Sequence, residues 1–353
     1  MKKILVTGGA GFIGSHTCLV LLQKGYEIFV IDSFINSSKK SLENVLKILD
    51  KENKLSFSKK LKIFEGDIRN KELLYEIFDK SRSNGNGNGI EGVIHFAGLK
   101  AVEESVKNPF LYWESNIFGS ISLFEVMQKN NCHTLVFSSS ASIYGKNQKG
   151  KIDENSQINP INPYGTTKMV IERLLEDLQR SSNLNWRIAN LRYFNPIGAH
   201  SSGLIGESPK GIPNNIFPYI TKVAFGSLKE VKIFGDDWPT TDGTGVRDYI
   251  HVMDLAEGHI KTLEYLFENK PNIINMNLGT GKGFSVLELI NTFENVNNVK
   301  IPYIFNSRRC GDVASLIANN SLAKKLLNWE PNRSLRQMCK DGWKWQFKNP
   351  EGY

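Results

Sequence analysis

A tyrosine and a lysine lie four positions apart in the segment NPYGTTK (162–168). On a helix, residues at this spacing share one face, and their side chains come within reach of each other. A tyrosine hydroxyl titrates near pH ~10, too high for a base at neutral pH, but a neighbouring ammonium group stabilises the phenolate and lowers the pKa. Tyr164 and Lys168 are therefore candidates for acid–base chemistry. The alternative is the ordinary first turn of a surface helix that begins at Pro163.

Serines follow a predicted strand in the segment TLVFSSSASIYG (134–145). In open α/β sheets, ligands bind at the carboxyl ends of the strands, so these serine hydroxyls would emerge at a ligand site. A serine hydroxyl, a phenol and an ammonium group suit removal of a hydroxyl proton while a hydride leaves for a nicotinamide. The set predicts oxidation–reduction chemistry at an alcohol carbon.

The first predicted strand, KILVT (3–7), leads into a glycine-rich segment that opens a helix. Gly8, Gly11 and Gly14 give the spacing GxxGxxG, a variant of the GxGxxG dinucleotide pattern. Glycine permits a tight turn and close backbone approach, and the N-terminus of the helix offers N–H groups to a pyrophosphate. The pattern predicts a dinucleotide site, and a plain strand–helix turn is the alternative.

Acidic residues end the next two predicted strands. Asp32 closes EIFVID, where a carboxylate accepts hydrogen bonds from an adenosine ribose and repels a 2′-phosphate, which favours NAD over NADP. Asp67 in EGDI would approach the adenine, and either aspartate could instead cap the turn or helix that follows it. Ala97 and Gly98 in HFAGLK would let the backbone close on the cofactor, and Lys100 would meet a phosphate.

These residues lie at the ends of short β-rich runs that alternate with amphipathic segments. The predicted strands are KILVT, EIFVI, LKIFEG, GVIHFA, TLVFSSS and RIANLRY. The predicted helices are HTCLVLLQK, KSLENVLKILD, KELLYEIFDK, ISLFEVMQK and MVIERLLEDLQ. Such alternation implies parallel strands joined by crossover helices, which is an α/β fold with a doubly wound parallel Rossmann sheet.

The pattern loosens after residue 195 into loops rich in proline and glycine, with the short strand-like runs VKIFG, IINMNLG and IPYIF. We expect an NAD-binding Rossmann domain over residues 1–195 and a smaller mixed α/β C-terminal substrate lobe over 196–353, with the chain free to cross back between them. The segment SNGNGNG (83–89) predicts a flexible surface loop.

Composition narrows the class of protein. With 353 residues, of which 40% are hydrophobic and 23% charged, the chain has an ordinary globular composition. The formal net charge is +8, but the lysines are scattered, which disfavours nucleic-acid binding. The cysteines form no CxxC and the histidines no HExxH, so we expect neither a metal site nor a disulfide framework. Without a membrane-length apolar run or a signal-peptide pattern, we expect a cytoplasmic protein that does not bind membranes.

Longer motifs follow one another in order along nearly the whole chain. They are TGGAGFIGSH, EGDIRN, VIHFAGLKAVEESV, FSSSASIYG, PYGTTK, LRYFNPIGAH, GIPNNIFPYI and DGTGVRDYIHVMDLAEGH. This set resembles the extended short-chain dehydrogenase/reductase family, and within it the members that epimerise UDP-hexoses at C4. The resemblance implies tightly bound NAD, UDP-glucose and UDP-galactose as substrates, a transient 4-keto sugar, a homodimer and a place in galactose metabolism.

The resemblance also implies roles for individual residues. Ser140 would hydrogen-bond the C4 oxygen of the sugar, Tyr164 would act as acid/base, and Lys168 would bind the nicotinamide ribose and lower the pKa of Tyr164. Positions matching cofactor contacts of the family are Gly8, Gly11, Phe12, Ile13, Gly14, Asp32, Asn36, Ser37, Asp67, Ile68, Phe96, Ala97, Gly98, Lys100, Asn116, Ser140, Tyr164, Lys168 and Phe194. Positions matching UDP-sugar contacts are Ser140, Tyr164, Asn195, Asn215, Phe234, Arg247, Arg309, Asp312 and Leu316. The two arginines suit a pyrophosphate on chemical grounds as well, since a guanidinium group binds it through several hydrogen bonds.

Other activities stay open at this point. A nucleotide-sugar 4,6-dehydratase of the same family would carry an Asp-Glu pair after the serine, where this chain has Ala141 and Ser142. A simple alcohol dehydrogenase would not need the UDP-binding motifs, and a noncatalytic NAD-binding regulator would lack Tyr164 or Lys168. Leu316 stands where relatives confined to glucose and galactose often carry tyrosine. We therefore expect a side activity on UDP-GlcNAc and UDP-GalNAc, unless Leu316 is only a packing residue.

Overall fold

The computed structural model describes residues 1–51, 57–82, 89–145, 150–181, 184–211, 213–309 and 311–353. Most of the predicted SNGNGNG loop, residues 83–88, lies outside these ranges. The strands are β1 Lys3–Thr7, β2 Glu27–Asp32, β3 Leu61–Glu65, β4 Gly92–His95, β5 Thr134–Ser140, β6 Arg187–Tyr193, β7 Asn195–Ile197, β8 Val231–Phe234, β9 Val246–Arg247, β10 Tyr249–His251, β11 Ile273–Leu278, β12 Phe284–Ser285, β13 Tyr303–Asn306 and β14 Ser315–Leu316.

Helices follow most of the strands. They are α1 Phe12–Gln23, α2 Lys39–Lys51, α3 Lys71–Arg82, α4 Val102–Lys107, α5 Pro109–Tyr112, α6 Gly119–Lys129, α7 Pro163–Ser181, α8 Ile216–Phe225, α9 Val252–Glu268, α10 Val286–Asn297, α11 Ser321–Leu327 and α12 Leu335–Lys348. A π-helical turn, Trp113–Phe118, joins α5 to α6. Among the described helices, none is both long and apolar enough to cross a membrane.

Within the described ranges, the largest sheet has seven strands in the order β11-β6-β5-β4-β1-β2-β3. All of its pairings are parallel. Because side chains alternate across a strand, Ile4 and Val6 of β1 enter the core on one face with α1, α2 and α9, and Leu5 enters the core on the other with α3, α6 and α7. Buried residues on both faces explain why the strands read as continuous apolar runs. The predicted doubly wound parallel sheet is confirmed.

The seventh strand of this sheet corrects one assignment. The run IINMNLG was expected in the C-terminal lobe, yet Ile273–Leu278 pairs in parallel with β6 at the edge of the Rossmann sheet. The preceding helix α9 packs beside α1, with Leu255, Leu263 and Leu266 in the same core. The chain therefore crosses back to the main sheet after residue 195. There β11 gives the edge of β6 a ladder of hydrogen bonds.

A separate hydrophobic core lies in the C-terminal part. Ile220 of α8, Phe293 of α10 and Met338 of α12 are buried together with Ile233 of β8. Short ladders pair β8 with β13, β7 with β10, and β9 with both β12 and β14. This lobe stands next to the carboxyl end of β6, where the chain leaves the main sheet.

Candidate active site

The predicted tyrosine–lysine pair lies in the first turns of α7. Pro163 is the first helical residue, and the Asn162 side chain accepts a hydrogen bond from the N–H of Gly165 at 2.8 Å, which caps the helix. Lys168 is 4% exposed, and its ammonium group donates to the carbonyl oxygen of Ser138 at 2.7 Å. The same nitrogen lies 5.9 Å from the centre of the Tyr164 ring. The segment is a helix start, and it points its lysine into the sheet.

Ser140 is the last residue of β5 and faces the same space. Its hydroxyl oxygen accepts a hydrogen bond from the N–H of Ser142 at 3.1 Å and donates to the Ser142 hydroxyl at 3.0 Å. A hydrogen bond also links the side chains of Ser140 and Tyr164. The structure thus brings Ser140, Tyr164 and Lys168 together at the carboxyl edge of the sheet.

The electrostatics of the three groups differ from the expectation in one respect. Burial raises the pKa of Tyr164, and both its hydrogen bond with Ser140 and the positive charge of Lys100 oppose this increase. Burial lowers the pKa of Lys168 to about 8, against the influence of Glu172. The charge of Lys100 thus favours the Tyr164 phenolate, whereas the tuning role of Lys168 stays a prediction.

The glycine-rich loop between β1 and α1 approaches the β4 loop closely. Gly8 has φ +67°, and a Cβ atom there would stand 2.7 Å from the backbone nitrogen of Ala97. Gly11 precedes α1 in an extended conformation, and Phe12, Ile13 and Gly14 open the helix. The first N–H groups of a helix lack intrahelical partners, and glycine at position 11 leaves them accessible. The loop can therefore hold an anionic group against the helix N-terminus.

Asp32 ends β2 and braces the loops beside it. Its carboxylate accepts hydrogen bonds from the N–H groups of Ala10 at 2.9 Å and Phe34 at 3.0 Å, and from the Ser37 hydroxyl at 2.7 Å. Asn36 lies exposed in the same loop. The turn-bracing role and a ribose-binding role are compatible, since a carboxylate has about four acceptor positions.

Asp67 pairs with Arg69, a partner not predicted from the sequence. Arg69 donates to both of its carboxylate oxygens, at 3.0 and 2.8 Å, and this hydrogen bonding lowers the pKa of Asp67. The cap of α3 is instead Asn70, whose side chain accepts from the N–H of Leu73 at 3.0 Å. Asp67 therefore does not cap the helix, while the neighbouring Ile68 is buried against Gly119.

The loop after β4 meets helix α7 through Asn116. This residue lies in the π-helical turn, a feature often found at functional sites. Its amide nitrogen donates to the Leu99 carbonyl and the Thr167 hydroxyl, both at 3.1 Å, and its oxygen accepts from the N–H of Leu99 at 2.7 Å. A Cβ atom on Gly98 would stand 3.1 Å from that oxygen and 4.0 Å from the Lys168 nitrogen. Gly98, Asn116 and Lys168, all predicted to contact the cofactor, therefore lie close together. A side chain at position 98 would crowd Asn116.

Aromatic residues flank this group. Phe96 packs on His259 with ring centres 4.8 Å apart, and Tyr193 contacts the same histidine at 5.5 Å. Phe194 is buried directly after β6, and the N–H of Asn195 donates to the carbonyl of Asp248 at 3.0 Å. The chain thus turns from the main sheet into the C-terminal lobe at the candidate site.

Lys100 and Asn215, predicted for cofactor and substrate respectively, share one partner. Glu207 accepts a hydrogen bond from the Lys100 ammonium group at 3.1 Å and from the Asn215 amide at 3.2 Å. Desolvation lowers the pKa of Lys100, and the ion pair more than reverses this, so the pKa is raised overall. Sequence reasoning missed Glu207, because nothing in the motif spacing marks the GES loop in which it lies.

The remaining predicted residues form a cationic group in the C-terminal lobe. The Arg309 guanidinium lies 4.6 Å from the centre of the Phe234 ring and donates to Asp312 at 3.1 Å. Arg247 donates to the carbonyls of Val246 and Val313, both at 2.9 Å. Burial lowers the pKa of Arg247, and the negative charge of Asp312 opposes this. Two guanidinium groups, of which that of Arg309 lies over an aromatic ring, suit a pyrophosphate attached to a flat base.

Leu316 connects this group to the serine strand. It stands in register with Arg247 in the β9–β14 ladder. Its side chain packs against the small buried cluster that includes Ala141 and Phe194. Leu316 therefore packs against the cluster that contains Ala141, the residue after Ser140, and its role in limiting the size of a ligand stays a prediction.

Comparison with known proteins gives a consistent result over the full length. A family model described as GDP-mannose 4,6 dehydratase matches residues 5–342. The UDP-glucose 4-epimerase of Bacillus subtilis (strain 168) is 49% identical over 350 residues, covering 99% of this chain and 98% of that protein. The crystal structure of UDP-glucose 4-epimerase from Bifidobacterium longum in complex with NAD+ and UDP matches with a TM-score of 0.92 at 44% identity, covering 100% of both chains. The chain belongs to the UDP-glucose 4-epimerase family.

This family lies within the extended short-chain dehydrogenases/reductases, so the resemblance stated from the motifs is confirmed. A second structure of the family, from Stenotrophomonas maltophila with bound NAD and formylated UDP-arabinopyranose, has a TM-score of 0.92 at 44% identity and covers 99% of each chain. The match to a dehydratase model does not bring dehydratase residues with it. Ala141 and Ser142 occupy the positions after the serine, and Ser142 hydrogen-bonds Ser140 rather than supplying an acid.

Proposed function

We propose that this chain is a UDP-glucose 4-epimerase, which interconverts UDP-galactose and UDP-glucose through a transient 4-keto sugar with NAD as its resident cofactor. The observation that carries the proposal is the convergence of Ser140, Tyr164 and Lys168 beside the glycine loop, with Arg247 and Arg309 in the adjoining lobe. The first group suits proton transfer at a sugar hydroxyl, and the second suits a nucleoside diphosphate. Relatives that are similar over the full length carry this activity in their names.

The described residues fit NAD. The Gly8 loop and the N-terminus of α1 suit a pyrophosphate, and Asp32 at the end of β2 suits a ribose diol. Gly98, Asn116 and Lys168 lie close together, and a nicotinamide ribose would lie beside them, where Gly98 adds no side chain. When bound, NAD supplies a hydride acceptor and donor at C4 of the sugar.

The residues of the chain supply proton transfer and orientation. Tyr164 would take the proton of the 4-hydroxyl as the C4–H bond breaks and return it when the C–H bond forms on the opposite face. Ser140, hydrogen-bonded to Tyr164, would hold the C4 oxygen in line for this transfer. Lys100 and Lys168 supply positive charge near the phenolate that forms, which offsets the cost of burying it.

The UDP portion of the substrate would be held more firmly than the sugar. Arg247, Arg309 and the ring of Phe234 would hold the UDP portion, since charged and stacking contacts fix it in two places. The sugar ring would have fewer directional contacts, so the 4-keto sugar can rotate and present its other face. Phosphate binding therefore retains the intermediate while the hexose turns.

The decisive experiment is incubation of the purified protein with UDP-galactose without added NAD, followed by chromatography of the nucleotide sugars. Formation of UDP-glucose supports both the epimerase activity and retention of NAD. Release of UDP-4-keto-6-deoxyglucose would instead identify a 4,6-dehydratase, the alternative that Ala141 and Ser142 disfavour. If UDP-glucose forms only after NAD is added, the epimerase activity is supported, but the proposal that the protein retains NAD is wrong.

A side activity on UDP-GlcNAc and UDP-GalNAc is a further part of the proposal. Leu316 packs beside Ala141 and Phe194, close to the serine that would hold the sugar. Leucine is smaller than tyrosine and has no hydroxyl, so it leaves more room for an N-acetyl group. This supports the broader specificity expected from the sequence.

We also propose that the protein is a homodimer through an apolar helix patch, consisting of Val106, Phe110, Leu111, Trp113 and Phe118. Phe110 is 89% exposed and Phe118 61% exposed. Monomers rarely expose a contiguous apolar area of this kind, and the resemblance implies a second copy as its occupant. The helix ISLFEVMQ offers no such surface, because Leu123, Phe124, Val126 and Met127 are buried in the core.

A further inference from the structure

Glu207 is a buried carboxylate placed between the two parts of the candidate site. Its side chain is only 9% exposed. One carboxylate oxygen accepts hydrogen bonds from Lys100 at 3.1 Å and Asn215 at 3.2 Å. The other oxygen is buried and has no hydrogen-bond partner among the described residues. Burying a carboxylate with an unpaired oxygen is costly, so the residue is a candidate for a functional role rather than a stabilising one.

The loop that carries Glu207 is held by the C-terminal segment. The indole nitrogen of Trp345 donates to the Glu207 carbonyl at 3.1 Å. The Tyr353 hydroxyl bonds both the N–H and the carbonyl of Gly206 at 3.1 Å. These contacts fix the backbone on each side of the carboxylate, which therefore presents its charge from a rigid position.

Lys100 links this carboxylate to the catalytic tyrosine. Besides Lys100, the described groups that interact with Tyr164 include the Ser140 hydroxyl, the Lys168 ammonium group, and the phenols of Tyr112 and Tyr193. The two lysines differ in their partners: Lys168 donates to a neutral carbonyl, and Lys100 donates to Glu207. Only a charged partner can attenuate the field of the ammonium group that it contacts.

We infer that Glu207 is a positioning residue of the catalytic site, which anchors Lys100 and moderates the positive charge that Lys100 presents to the Tyr164 hydroxyl. The inference deepens the proposed function, on which it rests for the catalytic role of Tyr164. Because Asn215 shares the same carboxylate, Glu207 also ties this charge to the lobe that would bind the substrate. Glu207 would thus influence the proton affinity of the acid/base through Lys100, without contacting it.

Glu207→Gln tests the charge while keeping an acceptor for Lys100. The amide oxygen can still accept from the ammonium group, so Lys100 stays in place and acts on Tyr164 without attenuation. We expect the titration of Tyr164 to move to lower pH by about half a unit, a shift limited by the partial exposure of Lys100. Lys100→Met should move it to higher pH, and Glu207→Gln in the Lys100→Met background should change it little.

The measurement is a spectrophotometric titration of phenolate absorbance in the purified protein, each variant being compared with its own Tyr164→Phe derivative so that the difference reports Tyr164. Glu91→Gln is the matched control, since Glu91 pairs with Lys2 at 3.0 Å on another part of the molecule, and it should leave the titration unchanged. The inference would be overturned if Glu207→Gln titrates like wild type, or if Lys100→Met titrates like wild type. An equal shift with and without Lys100 would overturn it too. Since no turnover is involved, failure of the proposed activity would be recognised separately, in the UDP-galactose assay.

Discussion

The ammonium group of Lys168 donates a hydrogen bond to the carbonyl oxygen of Ser138, at 2.7 Å. This contact joins helix α7 to the strand that ends in Ser140, across 30 positions of sequence. It holds the helix in the position where Tyr164 can hydrogen-bond Ser140. The hydrogen bond between Asn116 and Thr167 then fixes the same helix to the loop after β4.

Tyr164→Phe should keep the fold and lose most of the epimerisation. Removing one acid/base group costs about 10²–10⁴-fold in rate, and the Phe ring fills the same space. We expect kcat for UDP-galactose to fall by that order with an unchanged thermal unfolding curve. Tyr303→Phe, at a tyrosine that is 41% exposed, is the control and should retain wild-type turnover. Near-normal turnover of Tyr164→Phe would remove the tyrosine from the mechanism.

Lys168 should make stability depend on pH in alkaline solution. Burial lowers its pKa in the folded protein to about 8, below the value of 10.5 for a free side chain. Between these values the unfolded chain binds more protons, so the free energy of unfolding contributed by Lys168 rises with pH across this window and is flat below it. Urea unfolding of wild type and Lys168→Met from pH 7 to 10 should show wild type gaining stability relative to the variant above pH ~8. A constant difference would contradict the lowered pKa.

Glu172 of α7 and Arg192 of β6 form an ion pair between the helix and the sheet, with side chains 4% and 1% exposed. Glu172 also accepts a hydrogen bond from Ser139. Glu172→Gln leaves the guanidinium group without its countercharge, which we expect to cost about 3–5 kcal/mol in the free energy of unfolding. Chemical denaturation measures this. Glu176→Gln, on the exposed side of the same helix, should cost about 1 kcal/mol or less, and equal losses in the two variants would refute the role of burial.

Leu316→Tyr should narrow the sugar specificity. A bulkier ring beside Ala141 and Phe194 would occupy the space available to an N-acetyl group, so the ratio of kcat/KM for UDP-GlcNAc over UDP-glucose should fall by about tenfold or more. Leu316→Met, of similar volume, should leave the ratio close to that of wild type. If the tyrosine variant keeps the wild-type ratio, Leu316 is a packing residue only.

Phe110→Glu should produce a monomer. A charge within the apolar helix patch would have to be desolvated on association, which is unfavourable without a partner. Sedimentation velocity should show a dimer for wild type and a monomer for the variant. Phe347→Glu, at another phenylalanine that is 65% exposed, should remain dimeric. A monomeric wild type would contradict the proposed assembly.

Much of the fold and part of the site could be predicted because they depend on near neighbours in the chain. The alternation of apolar runs and amphipathic segments indicated six strands of the main sheet, all of which lie there. The same local logic located the glycine turn at Gly8, the helix start at Pro163 and the spacing of Tyr164 and Lys168. Each of these features is decided within a few residues by backbone sterics, capping or helical periodicity.

Tertiary structure decided what depends on distant partners. Nothing local in IINMNLG shows that it pairs with β6. Glu207 meets Lys100 across 107 positions of sequence, which no local pattern indicates. The sequence by itself determined which chemical groups are present and at which ends of the elements they stand. Their protonation and their partners were decided only by folding, because burial and Coulomb interactions depend on distances in space rather than along the chain.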